Sequence, residues 1–163
     1  MPYRLAQTTV VLVTLLCLIA PPVLAETPPR QGPEGVVAEL VEALNTADLQ
    51  RLLACFEPDP TVFFPLDVLP LRLDGHEQVA KAFGAFFEAV RQQGTGPRYM
   101  NMQPRDLKVQ SLGDVAVLTF HFVGGTMVSR RTAVVRRHGD TWKIVHLHAS
   151  NVPAELARPA GAK

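Results

Sequence analysis

From Val115 to Ser150 the chain reads as three long β-rich runs joined by turns too short to hold a helix. The first run is Val115 to Val123, VAVLTFHFV; the second is Thr126 to Arg137; the third is Thr141 to Ser150. Gly124-Gly125 and Gly139-Asp140 separate them and read as hairpin turns. Parallel neighbours need a crossover of about a dozen residues or more, so strands joined this tightly pair antiparallel. A further extended segment, Tyr99 to Gln110 with Pro104 interrupting it, precedes the first run.

Helical spacing is confined to the region ahead of that sheet. Val36, Val37, Leu40, Val41 and Leu44 predict a helix from Glu34 onward. Asn45-Thr46-Ala47-Asp48 ends it and caps a second helix, Leu49 to Phe56, which Pro58 and Pro60 stop. Thr61 to Phe64 reads as a short strand ended by Pro65, and Leu71-Arg72-Leu73 as another. Asp74 caps a third helix, His76 to Arg91, with Val79, Ala82, Phe83, Phe86, Phe87 and Val90 on its apolar side. Helices grouped before strands predict an α+β fold.

The first residues belong to a different class of segment. Arg4 precedes the uncharged run Thr8 to Ala20; Pro21 and Pro22 break it, and Val23-Leu24-Ala25 suits cleavage after Ala25. The run is shorter than the roughly 20 residues that span a bilayer. The expected organisation is therefore a signal peptide over 1–25, a flexible leader over 26–33, a domain over 34–153 and a flexible tail over 154–163. The expected location is periplasmic or secreted, with no membrane association after cleavage. Removing Arg4 leaves equal numbers of acidic and basic residues, so nothing favours a nucleic-acid partner. Cys17 leaves with the signal, and Cys55, in an apolar run, reads as a buried structural thiol.

In the last run Trp142, Ile144, His146, His148 and Ser150 alternate with Lys143, Val145, Leu147 and Ala149. Both sets contain large apolar residues. Both sheet faces are then expected to be covered, one by the helices and the other by a second copy of the chain.

Arg130-Arg131-Thr132, followed by the basic pair Arg136-Arg137, the Gly139 turn and Trp142-Lys143-Ile144-Val145-His146-Leu147-His148-Ala149-Ser150, resembles the end of SnoaL-like proteins. These belong to the nuclear-transport-factor-2-like (NTF2-like) superfamily. The stretch is also similar to the association domain of calcium/calmodulin-dependent protein kinase II. Asn45-Thr46-Ala47-Asp48-Leu49, the run to Phe63-Phe64, and Leu73-Asp74-Gly75 before a Phe-rich helix agree with that resemblance. It implies an NTF2-like cone: three N-terminal helices packed on a strongly curved antiparallel sheet, with a pocket between them and homodimers formed through the outer sheet face. Some members are isomerases, dehydratases or cyclases, and others only bind or assemble. Family steroid isomerases use an Asp base where this chain has Phe63-Phe64-Pro65, and a Tyr where it is aliphatic near Leu40. The kinase domain's pocket arginines point to Arg130, although Ala149 stands where a second Arg would follow His148.

Arg130 and Thr132 share one strand face, and the resemblance turns that face toward the pocket. An Arg in an apolar cone favours a planar carboxylate held bidentately; otherwise it is an exposed strand Arg. His146 and His148 share a face, and His121 from a neighbouring run could join them around zinc. No acid or Cys lies beside the pair, so no metal is assigned, and no cofactor motif is present. The imidazoles are structural, contact a ligand, or carry protons near neutral pH. Phe63 and Tyr99 join Arg130, Thr132, His121, His146 and His148 as ligand-contact candidates. Asp67, Asp74 and Asp106 read as loop or cap residues. The expected function is binding of a small apolar or carboxylate-bearing molecule without catalysis. The alternative is an isomerase, lyase or cyclase using His121, His146 or His148 as acid and base.

Overall fold

The computed structural model describes residues 32–65 and 71–157. The expected signal peptide and all but the end of the leader lie outside them, as do Asp67 and the end of the tail. Helix α1 spans Pro33–Thr46. Pro33 opens it, where a missing N–H costs nothing, and Glu34 complements the positive end of the dipole. Its stripe of Val36, Val37, Leu40, Val41 and Leu44 is buried. The helix stops at Ala47, a non-glycine residue at φ 52° whose N–H returns to the carbonyls of Ala43 and Leu44. Asp48 then caps α2, Leu49–Ala54, by accepting from the Arg51 N–H at 3.0 Å.

The chain leaves α2 earlier than its apolar spacing predicts. Strand β1 covers Phe56–Phe63 and runs through both Pro58 and Pro60. The ladder shifts register between Phe56 and Thr61, so residues without an N–H sit where pairing is already interrupted. β2, Leu73–Asp74, pairs with β1, and α3, Gly75–Gln93, follows. The remaining strands are β3 Arg105–Leu112, β4 Val115–Gly124, β5 Met127–His138 and β6 Thr141–Pro153. Gly125 at φ 56° and Gly139 at φ 59° turn the β4–β5 and β5–β6 hairpins, in a backbone region costly for side-chain-bearing residues. β3 begins only after Pro104. A short 3₁₀ turn, Ala154–Leu156, follows β6.

The six strands form one sheet in the order β2-β1-β6-β5-β4-β3. All neighbours are antiparallel except β1 and β6, which run parallel, with α3 and four strands intervening between them in the chain. The sheet is mostly antiparallel, as expected, and that one pair is the exception. The three helices close over one face, giving an α+β NTF2-like cone. Phe83 and Phe87 of α3, Leu52 of α2 and Val37 of α1 meet Leu118, Val135 and Ile144 from the sheet, all buried.

The face assignment of β6 also changes. Val134 pairs with His146 but Val135 pairs with Ile144, so Val145 is an extra residue in the ladder. The bulge brings Ile144 onto the same inner face as Leu147 and Ala149. The apolar character read on both faces of this strand is thus largely one face, viewed across a break in phase.

Candidate ligand-binding cone

The inner face of the sheet is set by β4. Ala116, Leu118, Phe120 and Phe122 are buried, while Val115, Val117, Thr119 and His121 are partly exposed on the other side. Cross-strand partners share a face. Phe120 pairs with Arg131 and Leu118 with Ala133, so Arg131 points inward with Ala133 and Val135. It pairs on its other side with Ala149. The guanidinium enters a cavity of about 60 Å³ whose walls include Leu40 and Leu44 of α1, Phe83 and Phe86 of α3, Phe122 and Leu147.

This charge has no carboxylate beside it among the described residues. Its carbon lies 5.4 Å from the centre of the Phe122 ring, a cation–π contact. Nη1 donates to the Ser129 hydroxyl at 2.6 Å and to the Arg130 carbonyl at 3.1 Å. Nε and Nη2, the edge that pairs bidentately with a carboxylate, make no hydrogen bond to a described group. Burial pulls the pKa of Arg131 well below its ordinary value, down to about 10.

Ser129 does not hold the guanidinium alone. Its hydroxyl donates to Oδ1 of Asn151, whose Nδ2 donates to the Pro65 carbonyl at 3.3 Å. Ser129 and Asn151 pair across β5 and β6, so the sheet register builds this relay. Both also line a larger cavity of about 370 Å³ at the mouth of the cone, which shares Met102 and Phe122 with the inner one. The mouth's other wall is the extended segment 100–103. Asn45, buried at the end of α1, clasps that segment: its Nδ2 donates to the Met102 carbonyl at 3.1 Å and its Oδ1 accepts from the Met102 N–H at 2.6 Å.

The candidates singled out in the sequence lie elsewhere. Arg130, Thr132 and His121 are on the outer sheet face: Thr132 pairs with Thr119 and His148, and Arg130 with His121 and Ser150. The expectation that the Arg130–Thr132 face looks into the pocket is therefore corrected; the inward arginine is its neighbour Arg131. His146 and His148 flank Phe63 on the same outer face, with ring centres 5.8 and 5.5 Å from the phenyl ring. Burial, and then the neighbouring His148, lowers the pKa of His146 below its ordinary 6.5. His121 lies in the ladder row of Ser150, two strands from the histidine pair, or roughly 10 Å at the usual strand spacing. Its Nε2 is 3.5 Å from Asp106. The three imidazoles do not converge, and no group of three or more metal-ligating side chains occurs among the described residues. Tyr99 packs against the core with its N–H donating to the Asn45 carbonyl at 2.8 Å, and is not among the cavity-lining residues.

Two further sites are structural. Glu57 is buried and receives a two-pronged ion pair from Arg136, while His138 Nε2 lies 2.7 Å from its carboxylate. Cys55 is buried with its thiol pushed up to about 11 by desolvation. No helix among the described residues is long and apolar enough to cross a membrane.

Three helices over a curled, mostly antiparallel sheet, with a polar relay at the mouth of an apolar cavity, define a pocket-bearing domain of NTF2-like architecture. The chain belongs to the SnoaL-like domain family, whose model matches residues 34–155. No curated protein matches it. Solved structures share the fold. An NTF2-like protein of unknown function from Pseudomonas putida KT2440 aligns at 21% identity and TM-score 0.59, covering 72% of this chain and 82% of that one. A Streptomyces avermitilis protein of the NTF2-like family, provisionally named a dehydratase, aligns at 22% identity and TM-score 0.61, covering 74% and 94%. The CaMKII hub of S. rosetta aligns at 26% identity and TM-score 0.56, covering 75% and 98%.

Proposed function

We propose that this is an exported domain that binds a small carboxylate-bearing molecule in its cone, without catalysis, and that pairs through the outer face of its sheet. One observation carries the binding reading. Arg131 presents its Nε and Nη2 edge without a described partner inside an apolar cavity, a position that disfavours an unpaired charge. A planar carboxylate satisfies that edge with two parallel, charge-assisted hydrogen bonds. Binding is favoured over chemistry because no His, Asp or Glu lines either the inner cavity or its mouth among the described residues. General acid–base work needs such a group within hydrogen-bond reach.

Calorimetric titration with hexanoate and with hexan-1-ol tests the binding reading. Hexanoate is expected to bind saturably and the alcohol at least about tenfold more weakly, since it has no charge to meet the guanidinium. Arg131→Gln should abolish the difference. Parent protein that does not bind hexanoate, or a variant that binds it as tightly as the parent, would refute the proposal.

Pairing is supported by the outer face itself. Phe63, Val117 and Val134 lie there and are only partly covered by their own chain. The likeness to a protein named as a CaMKII hub points the same way. Sedimentation equilibrium should give a dimer that Val134→Glu converts to monomer; a parent protein that is monomeric at micromolar concentration sinks this part. Export is supported by the first 25 residues and is checked by N-terminal sequencing of secreted material.

A further inference from the structure

The mouth of the cone is chemically unlike its floor. Arg131 is the one charged side chain in the lining of either cavity among the described residues. Around the mouth stand neutral amides and thioethers. Asn101 and Gln103 are exposed on the extended segment before β3, and neither side chain makes a hydrogen bond to a described group. Each offers two donors and an acceptor. Asn151 and Ser129 are already committed to each other and to Arg131, so they position the guanidinium rather than read the ligand. Met100, Met102 and Met127 complete a wall that adapts to different shapes.

We infer that the acid held at Arg131 is a monoanion whose uncharged body carries an amide, which Asn101 and Gln103 read at the mouth. The inference rests on the acid-binding proposal and narrows it. A second carboxylate on the ligand would lose its hydration against Met102 and Phe122, with no second cation among the described lining residues to meet it. An amine would be repelled by Arg131 and find no acid among the described lining residues. An amide loses water too, but two uncommitted side-chain amides replace its hydrogen bonds. The floor alone, at about 60 Å³, holds little more than the head group, so the body of any longer acid must lie in the mouth.

Three probes of equal chain length separate the possibilities: nonanoate, N-hexanoylglycine and nonanedioate, each titrated against parent, Asn101→Ala/Gln103→Ala and Arg131→Gln. Both mouth residues are exposed and neither side chain hydrogen-bonds a described group, so the double variant should melt like the parent. In the parent, N-hexanoylglycine should bind at least as tightly as the more apolar nonanoate. The double variant should shift that preference toward nonanoate by about 3–10-fold, the effect of one or two net hydrogen bonds. Nonanedioate should bind at least about tenfold more weakly than nonanoate. An unchanged preference in the double variant, or nonanedioate binding as well as nonanoate, overturns the inference while leaving acid binding at Arg131 intact. If the parent binds none of the three, both readings fall together.

Discussion

Replacing Arg131 by Met should make the protein more stable and leave it unable to bind acids. The side chains have similar length, and the cavity walls around the guanidinium are Leu40, Leu44, Phe83, Phe86 and Phe122. Burial that pulls the pKa from its ordinary value down to about 10 corresponds to a cost of about 3 kcal/mol for keeping the charge there, at roughly 1.4 kcal/mol per pH unit. The sign follows from the direction: a base whose pKa is lowered by folding opposes folding wherever it is charged, which includes neutral pH. Arg131→Met gives up the Phe122 contact, about 0.5–1 kcal/mol, and the bonds to Ser129 and the Arg130 carbonyl, about 1–1.5 kcal/mol together. The expected balance is about 1 kcal/mol in favour of the variant, or about 3–6 °C in melting temperature for a domain of this size. Urea unfolding with and without acid measures both halves. An acid at 100 times its Kd should stabilise the parent by about 2.7 kcal/mol and the variant not at all. Arg131→Lys is the control: it keeps the charge, loses the planar fork, and should gain little stability while binding poorly. If Arg131→Met is destabilised by 1 kcal/mol or more (about one net hydrogen bond), the guanidinium is a structural strut, and the reasoning fails.

Other residues give independent tests. Asn45→Ala should cost about 2–4 kcal/mol in urea unfolding, because the Met102 N–H and carbonyl both lose a buried partner. Acid should destabilise the parent through Glu57, whose pKa the Arg136 guanidinium holds below its ordinary 4.5; that stability is present above the ordinary value and lost as pH falls through the lowered one. Glu57→Gln should flatten the pH dependence of the urea midpoint in that acidic range. Cys55, raised to about 11 and donating to the Arg51 carbonyl at 3.4 Å, should react with a disulfide reagent at neutral pH only as fast as the protein unfolds, monitored by thiolate release. Rapid modification of native protein would contradict its burial.

The helices, the strands and the grouping that makes the fold α+β were legible in the sequence, because each rests on local spacing: Val36 to Leu44 at helical intervals, Ala116 to Phe122 at strand intervals, and glycines where the backbone must turn. The inward direction of Arg131 was legible too, though by a longer route. The apolar alternation of β4 sets its inner face, and a hairpin closing at Gly124 and Met127 carries that phase across to place Arg131 opposite Phe120. Reading Arg130 and Thr132 by motif, without carrying the phase through the turn, reversed the faces. Other features belong to tertiary structure alone. The bulge at Val145 moves Ile144 and Leu147 to one face, and nothing in the run Lys143 to His148 marks it, since a bulge is set by how β6 must bend between β1 and β5. The prolines of β1 end a helix by local rules, yet the strand passes through them because β6 offers an interrupted ladder there. The relay from Arg131 through Ser129 and Asn151 to Pro65 joins residues far apart in the chain. Its members are ordinary in any local window. Only the pairing of β5 with β6, and the return of β1 beside them, brings the polar groups to the mouth of an otherwise apolar cone.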